Sequence, residues 1–170
     1  MRNIRGRSLV FIVMTVLAAL CAVSCREVND SLYMHYADIP SAGWHESQPA
    51  SFEVTAADTT WRGASMQLVM HVRYMQSRPV GTFPVLVNVE DESGELLVDT
   101  VRVQLFDHRG HALYPRKFGL AEYTVTLMDN FPLRKGLSVN LTPLTEGVTT
   151  TGILNVGVQL KRYGSDTAAQ

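Results

Sequence analysis

The stretch from Pro84 to Phe106, PVLVNVE DESG ELLVDTVRVQLF, decides how this chain folds. Pro84 to Glu90 and Glu95 to Phe106 are both rich in Val and Leu, side chains that suit a pleated, half-buried surface. Between them stand Asp91, Glu92, Ser93 and Gly94. Acids and serine favour a turn, and the glycine can take the positive φ that a tight hairpin requires. The stretch predicts an antiparallel hairpin.

The same pattern continues on both sides. A second turn is expected at Asp107, His108, Arg109 and Gly110, followed by a proline-containing loop around Tyr114 to Gly119. From Glu122 to Met128, Tyr123, Val125 and Leu127 alternate with Thr124, Thr126 and Met128, the period of two that marks a strand. Gly136 to Leu141 puts Leu137, Val139 and Leu141 on one face, and Ile153 to Arg162 does so with Leu154, Val156, Val158 and Leu160. Polar residues from Thr145 to Thr151 join these two runs. Upstream, Ser65 to Met75 alternates Met66, Leu68, Met70 and Val72 with Ser65, Gln67, His71 and Arg73; Val69 breaks the pattern. Short β-rich runs separated by turns, with no amphipathic helix among them, predict an all-β fold with a single antiparallel β-sandwich, jelly-roll-like or immunoglobulin-like. A small barrel is the alternative. Alternation alone does not choose among these, because each buries every second residue of antiparallel strands.

The N-terminus has a different character. Arg2, Arg5 and Arg7 precede an apolar run from Leu9 to Val23, about fifteen residues and shorter than the roughly twenty of a membrane span. The run ends at Ala22, Val23, Ser24 and Cys25, a small residue before a cysteine, as a lipoprotein signal peptidase requires. This predicts a signal peptide over 1–24 and lipidation of Cys25, which would become a diacylated and N-acylated N-terminus with enough acyl chains for stable attachment. Cys21 is the poorer acceptor because Leu20 precedes it. The competing readings are two buried helix thiols, or an ordinary signal cleaved nearby. Arg26 and Glu27 leave the position after the cysteine without the aspartate that retains some lipoproteins at the inner membrane, so the outer membrane is expected. Glu27 and Asp30 make a slightly acidic start, too thin a signal to assign the leaflet.

Once the leader is removed, Cys25 is the only cysteine, which excludes disulfides, thiol catalysis and cysteine-ligated metals from the mature domain. What remains is about 145 residues, the size of one domain. Residues 25–49, mixed in composition and punctuated by Pro40, Gly43 and Pro49, read as lipid anchor and tether packing onto the domain's edge. Residues 50–163 read as the sandwich, and 164–170 as a flexible polar tail. The chain's formal charge of −1 becomes about −4 without the three leader arginines. The remaining Lys and Arg form no stripe in the sequence, so neither nucleic acid nor an anionic membrane surface is expected as a partner.

Candidate chemistry is sparse. Asp107, His108 and His111 lie close in sequence, but in an extended segment the two imidazoles point to opposite faces. A zinc site needs three or four converging ligands, so an Asp-x-x-Gly turn with exposed imidazoles is the plainer reading. His35, His45 and His71 are isolated. There is no Gly-x-Ser-x-Gly elbow and no phosphate loop, and the neighbouring acids Asp91 and Glu92 read as solvated turn formers. No enzyme activity, cofactor or metal is expected. Trp44, Trp61, Tyr74, Tyr114 and Tyr123 admit two uses: core or edge packing, which large aromatics favour, or an exposed face for a glycan or a protein partner. Trp44 and Trp61, beside loop-like sequence, are the candidates for such a surface.

The order of residues resembles that of the gliding-motility-associated lipoproteins of the GldH family, found in the Bacteroidetes. Cys25 is followed by Tyr33 or Tyr36, then Ile39 and Trp44, Phe52 and Asp58, and a strand ending in Val72 and Arg73. Asp99, Thr100 and Val101 open a strand that closes at Leu105, Phe106, Asp107 and Gly110. Gly152 and Ile153, two further residues, then Val156 and Gly157 match the family's C-terminal signature. The chain departs from the family at Thr142 and Pro143, where a Met-Arg pair is frequent, and in the thinner glycine content after Gly110. The resemblance implies a non-catalytic envelope lipoprotein that supports assembly or stability of gliding machinery or of the associated secretion route, with protein partners in the envelope. A glycan-binding surface lipoprotein is the alternative. Gly152 and Gly157 are expected to permit a close backbone approach or a bulge in the last strand.

Overall fold

The computed structural model describes residues 31–55, 63–75, 81–114, 116–117, 120–145 and 149–164. Its strands are β1 (Ser31–Asp38), β2 (Ala50–Val54), β3 (Ser65–Tyr74), β4 (Thr82–Asp91), β5 (Gly94–Gln104), β6 (Arg116–Lys117), β7 (Leu120–Pro132), β8 (Leu137–Pro143) and β9 (Ile153–Arg162). No helix occurs among the described residues. One sheet has the order β1-β9-β3-β7-β6 and the other β2-β8-β4-β5.

The decisive hairpin forms as its sequence predicts. β4 and β5 pair antiparallel from Thr82 opposite Gln104 to Asp91 opposite Gly94. Gly94 takes φ 122°, and the Asp91 carboxylate accepts the Ser93 N–H at 2.7 Å. On β4, Phe83, Val85, Val87 and Val89 are buried, and they meet the same alternation on β8, where Leu137, Val139 and Leu141 point inward. From the facing sheet come Met66, Leu68, Met70, Val72 and Tyr74 of β3 and Val156, Val158 and Leu160 of β9. The core is this apolar layer between the two sheets.

Strand order selects among the sandwich types. With the short β6 set aside, the outermost strands in sequence pair with each other and the rest follow inward: β1 with β9, β2 with β8, β3 with β7, β4 with β5, all antiparallel. Successive pairs alternate between sheets. The chain is therefore one long hairpin wrapped on itself, the topology of a jelly roll. An immunoglobulin-type sandwich would place its first two strands side by side, whereas β1 and β2 lie in different sheets. Neither sheet closes, which excludes the barrel.

Two expectations need correction. Residues 31–38 lie in the stretch assigned to a tether, yet they form β1, bonded along its length to β9. Trp44, in the same stretch, is buried in the core. The sandwich thus takes in residues placed ahead of it. The reason is that β1 is an edge strand with both faces only partly covered, so it shows no clean alternation and is held by backbone pairing. The second concerns β3, where Val69 and His71 are buried although they face away from the core. β3 is the middle strand of its sheet, and side chains from β1, β7 and β9 cover its outer face.

Candidate functional site

The sequence-derived candidates separate on the fold. Cys25 and Trp61 lie outside the described residues. Trp44 is 1% exposed, its indole N–H donates to the Gln48 carbonyl at 3.0 Å, and its ring meets Phe83 edge-on. Its reading as a partner or glycan surface is corrected, because the ring face is turned into the core. Tyr74 is fully buried and donates to the Leu105 carbonyl at 3.2 Å. Tyr123 is also buried and meets half-buried Tyr114 edge-on, with ring centroids 5.4 Å apart. These rings build the sandwich.

Asp107 and His111 do come together, as parts of a turn. The Asp107 carboxylate accepts the backbone N–H groups of Arg109 and His111, each at 2.8 Å, and lies 3.2 Å from the His111 ring nitrogen Nδ1. Gly110, at φ 78°, donates to the Asp107 carbonyl at 3.0 Å. The His111 N–H above all, with the Arg109 N–H and the His111 ring, holds the Asp107 carboxyl below the usual range. His108 and His111 are exposed. Among the described residues no group of three or more His, Cys, Asp or Glu converges as metal ligands would.

The most organised polar cluster lies on the outer face of the five-stranded sheet. Register builds it. Tyr36 on β1 stands opposite Gly157 on β9, Gly157 opposite His71 on β3, and His71 opposite Thr124 on β7. In the next row, Arg73 stands opposite Glu122. Directly opposed residues share a face, so four strands contribute to one patch. Glu122 Oε1 is its centre: it accepts from the Tyr36 hydroxyl at 2.7 Å and from Arg73 Nε at 3.1 Å, and lies 3.3 Å from His71 Nδ1. The Arg73 guanidinium sits 3.8 Å above the centroid of the Tyr36 ring, a cation–π contact. His71 Nε2 lies 3.2 Å from Gln159 Oε1.

Burial and the neighbouring groups compete to set the protonation states. Burial alone would push the Glu122 carboxyl up, but the Tyr36 hydroxyl, His71 and the Arg73 guanidinium together outweigh it, and the carboxyl titrates below its ordinary value. Burial, followed by the bond to Glu122, pushes the Tyr36 hydroxyl well up. Burial, assisted by the Arg73 charge, lowers His71 against the opposing pull of Glu122 and Gln159. The cluster therefore holds an anionic Glu122 against the Arg73 guanidinium, the Tyr36 hydroxyl and the His71 ring. It ties β1, β3, β7 and β9 together.

Gly157 makes room for it. A Cβ built there would lie 2.5 Å from Tyr36 Cδ1 and 3.0 Å from the His35 carbonyl, so the tyrosine ring rests directly on the bare backbone. The expected close approach in the last strand is found at Gly157, and Gly152 takes a positive φ of 87°. The sequence held only a faint trace of the cluster. Tyr36, His71, Arg73 and Glu122 are not adjacent in the chain, and alternation fixes a residue's face without fixing its neighbour on another strand.

An eight-stranded jelly roll with a short extra edge strand, its outer face secured by a charged clamp, defines a β-sandwich domain protein. The chain belongs to the GldH lipoprotein family, whose model matches residues 31–160, from the start of β1 into β9. It is thus a lipoprotein of the gliding-motility type, associated with the cell envelope membrane. No curated protein matches the chain. No described helix is long and apolar enough to cross a membrane.

Proposed function

We propose that this protein is a non-catalytic outer-membrane lipoprotein, anchored through acylated Cys25, that supports assembly or stability of gliding machinery or of its associated secretion route. The observation that carries the reading is the family match across the whole sandwich. The position of Cys25 after an apolar leader is consistent with it, and only residues 26–30 separate it in sequence from β1. In this role the domain works through its surface, and the outer-face clamp keeps edge strand β1, the first element after the anchor, attached to the sandwich.

The test is a pull-down from crosslinked, detergent-solubilised envelope with the lipidated protein, using Cys25→Ala as control. Gliding or secretion components should come down with the lipidated form and fall sharply with the control. Recovery of polysaccharide or peptidoglycan fragments alone would overturn the proposal.

A further inference from the structure

The two open sheets leave four edge strands, and these differ in length. β6 has two residues, β2 five and β1 eight, whereas β5 has eleven. A short edge offers little backbone to a foreign strand, and proline, lysine or a bulge blunts a longer one. From Leu97 to Gln104, β5 carries no proline, glycine or lysine. Its bulge falls ahead of that stretch, where Leu96 is the extra residue between Glu95 and Leu97. Among the described strands only β4 pairs with β5.

One contact identifies the groups on the free edge. The Thr100 N–H donates to the Asp99 carboxylate at 2.7 Å instead of to β4. Backbone groups of an antiparallel strand alternate between its partner and the opposite side, so those of Val98 and Arg102 also point away from β4. All three residues are exposed. Val98, at 50%, is more exposed than any other large apolar side chain among the described residues.

Charge indicates what pairs there. On the outer face Glu53, Ser138, Glu90 and Glu95 lie in one row across the sheet, and like charges directly opposed on neighbouring strands, as Glu90 and Glu95 are, repel. Among the described residues no cation pairs with either acid, and Arg102 pairs with no acid. On this face β5 is therefore negative at its start and positive near its end, which makes it complementary to an antiparallel copy of itself.

We propose that β5 pairs with β5 of a second copy of this chain, antiparallel about a two-fold axis at Val98, so that the two four-stranded sheets become one. In this register Val98 meets its own copy, Thr100 meets Leu96, and Arg102 comes level with Gly94, beside Glu95. Strands in a sheet lie about 4.8 Å apart, so the guanidinium reaches that carboxylate, and symmetry makes the contact twice. Asp99, on the other face opposite Val87, meets Leu97 and not its own copy. The Thr100 N–H exchanges the Asp99 carboxylate for the second copy's backbone. The axis stands normal to the sheet, so two copies acylated at Cys25 would enter one bilayer with their strands lying along it; the pairing itself does not depend on the anchor.

The experiment introduces Val98→Cys into the full protein in its own envelope, with the parent and Ser51→Cys, an exposed site on β2, as controls. Residues opposed in a hydrogen-bonded pair have Cα atoms about 5.5 Å apart, within the span of a disulfide. Mild oxidation should link Val98→Cys into a homodimer and leave both controls monomeric. Adding Arg102→Glu should lower the yield about tenfold or more, and adding Glu95→Arg to that variant should restore it, which a folding defect would not allow. Thr100→Pro, which removes an N–H that β4 does not use, should also abolish the dimer. A Val98→Cys yield no higher than the controls, linkage to a different protein, a yield indifferent to Arg102→Glu, or no recovery with Glu95→Arg would overturn the proposal.

Discussion

Gly157→Ala gives the sharpest test of how the outer face is built. The added methyl would sit 2.5 Å from Tyr36 Cδ1 and 2.6 Å from Cε1, and the His35 carbonyl at 3.0 Å closes the way backward. The ring must lift off β9. Overpacking of this kind costs about 1–3 kcal/mol. A lifted ring also loosens the hydroxyl bond to Glu122 and the contact with Arg73, together about 1–2 kcal/mol for half-exposed groups. Replacing a strand glycine returns about 0.5–1 kcal/mol of backbone entropy. The net loss is about 2.5 kcal/mol, which at about 3 °C per kcal/mol for a domain of this size lowers Tm by roughly 8 °C. The assay is thermal or urea unfolding of four proteins: the parent, Gly157→Ala, Tyr36→Ala and the double variant. Because the clash is with one ring, Gly157→Ala should cost little once Tyr36 is truncated, giving a coupling energy of about 2–2.5 kcal/mol. A penalty of the same size in both backgrounds would refute the account, as would a single variant as stable as the parent.

Other consequences can be checked in the same way. His71 titrates below its unfolded value, so the unfolded chain binds the extra proton first: stability should be full above about pH 6.5 and decline as pH falls below it. Glu122 is also depressed, and its share should be lost below about pH 4.5, as pH falls through its folded value. Urea midpoints followed from pH 8 down to about pH 2.5 should show both declines, and His71→Gln should remove the upper one. Trp44→Ala removes a ring that is 1% exposed and should cost about 3–5 kcal/mol in unfolding experiments. The fluorescence of Trp44, isolated in a Trp61→Phe background, should not change when polysaccharide is added. Cys25→Ala should abolish fatty-acid labelling and leave the apolar leader of residues 1–24 uncleaved, seen as a larger species on a denaturing gel.

How much of this was legible in the chain varies by element. The β4–β5 hairpin was readable from two Val- and Leu-rich runs around Gly94, because turn chemistry and period-two burial are local properties. β8 and β9 were readable for the same reason, with Leu137, Val139 and Leu141 on one and Val156, Val158 and Leu160 on the other. β1 was not, since Leu32, Tyr33, Tyr36 and Ala37 are only partly buried and the strand owes its existence to β9. Val69 looked like an error of alternation and is a consequence of β3 being covered on both faces. Trp44 carried a polar loop context that hid its burial, because the bridge between Trp44 and Thr150 that seats it joins residues far apart in sequence.

The sequence by itself determined the fold class, the main turns, the absence of cysteine after Cys25 and the family, because alternation, glycine placement and spaced signatures are written along the chain. Only the tertiary structure decided that the sandwich is a jelly roll, that Tyr36, His71 and Arg73 gather on the Glu122 carboxylate, and that Trp44 is buried in the core. The physical reason is strand register. The two-residue period fixes which face a side chain occupies, whereas its neighbours across the sheet depend on which strands pair and where they begin, and that is settled by the packing of the whole core.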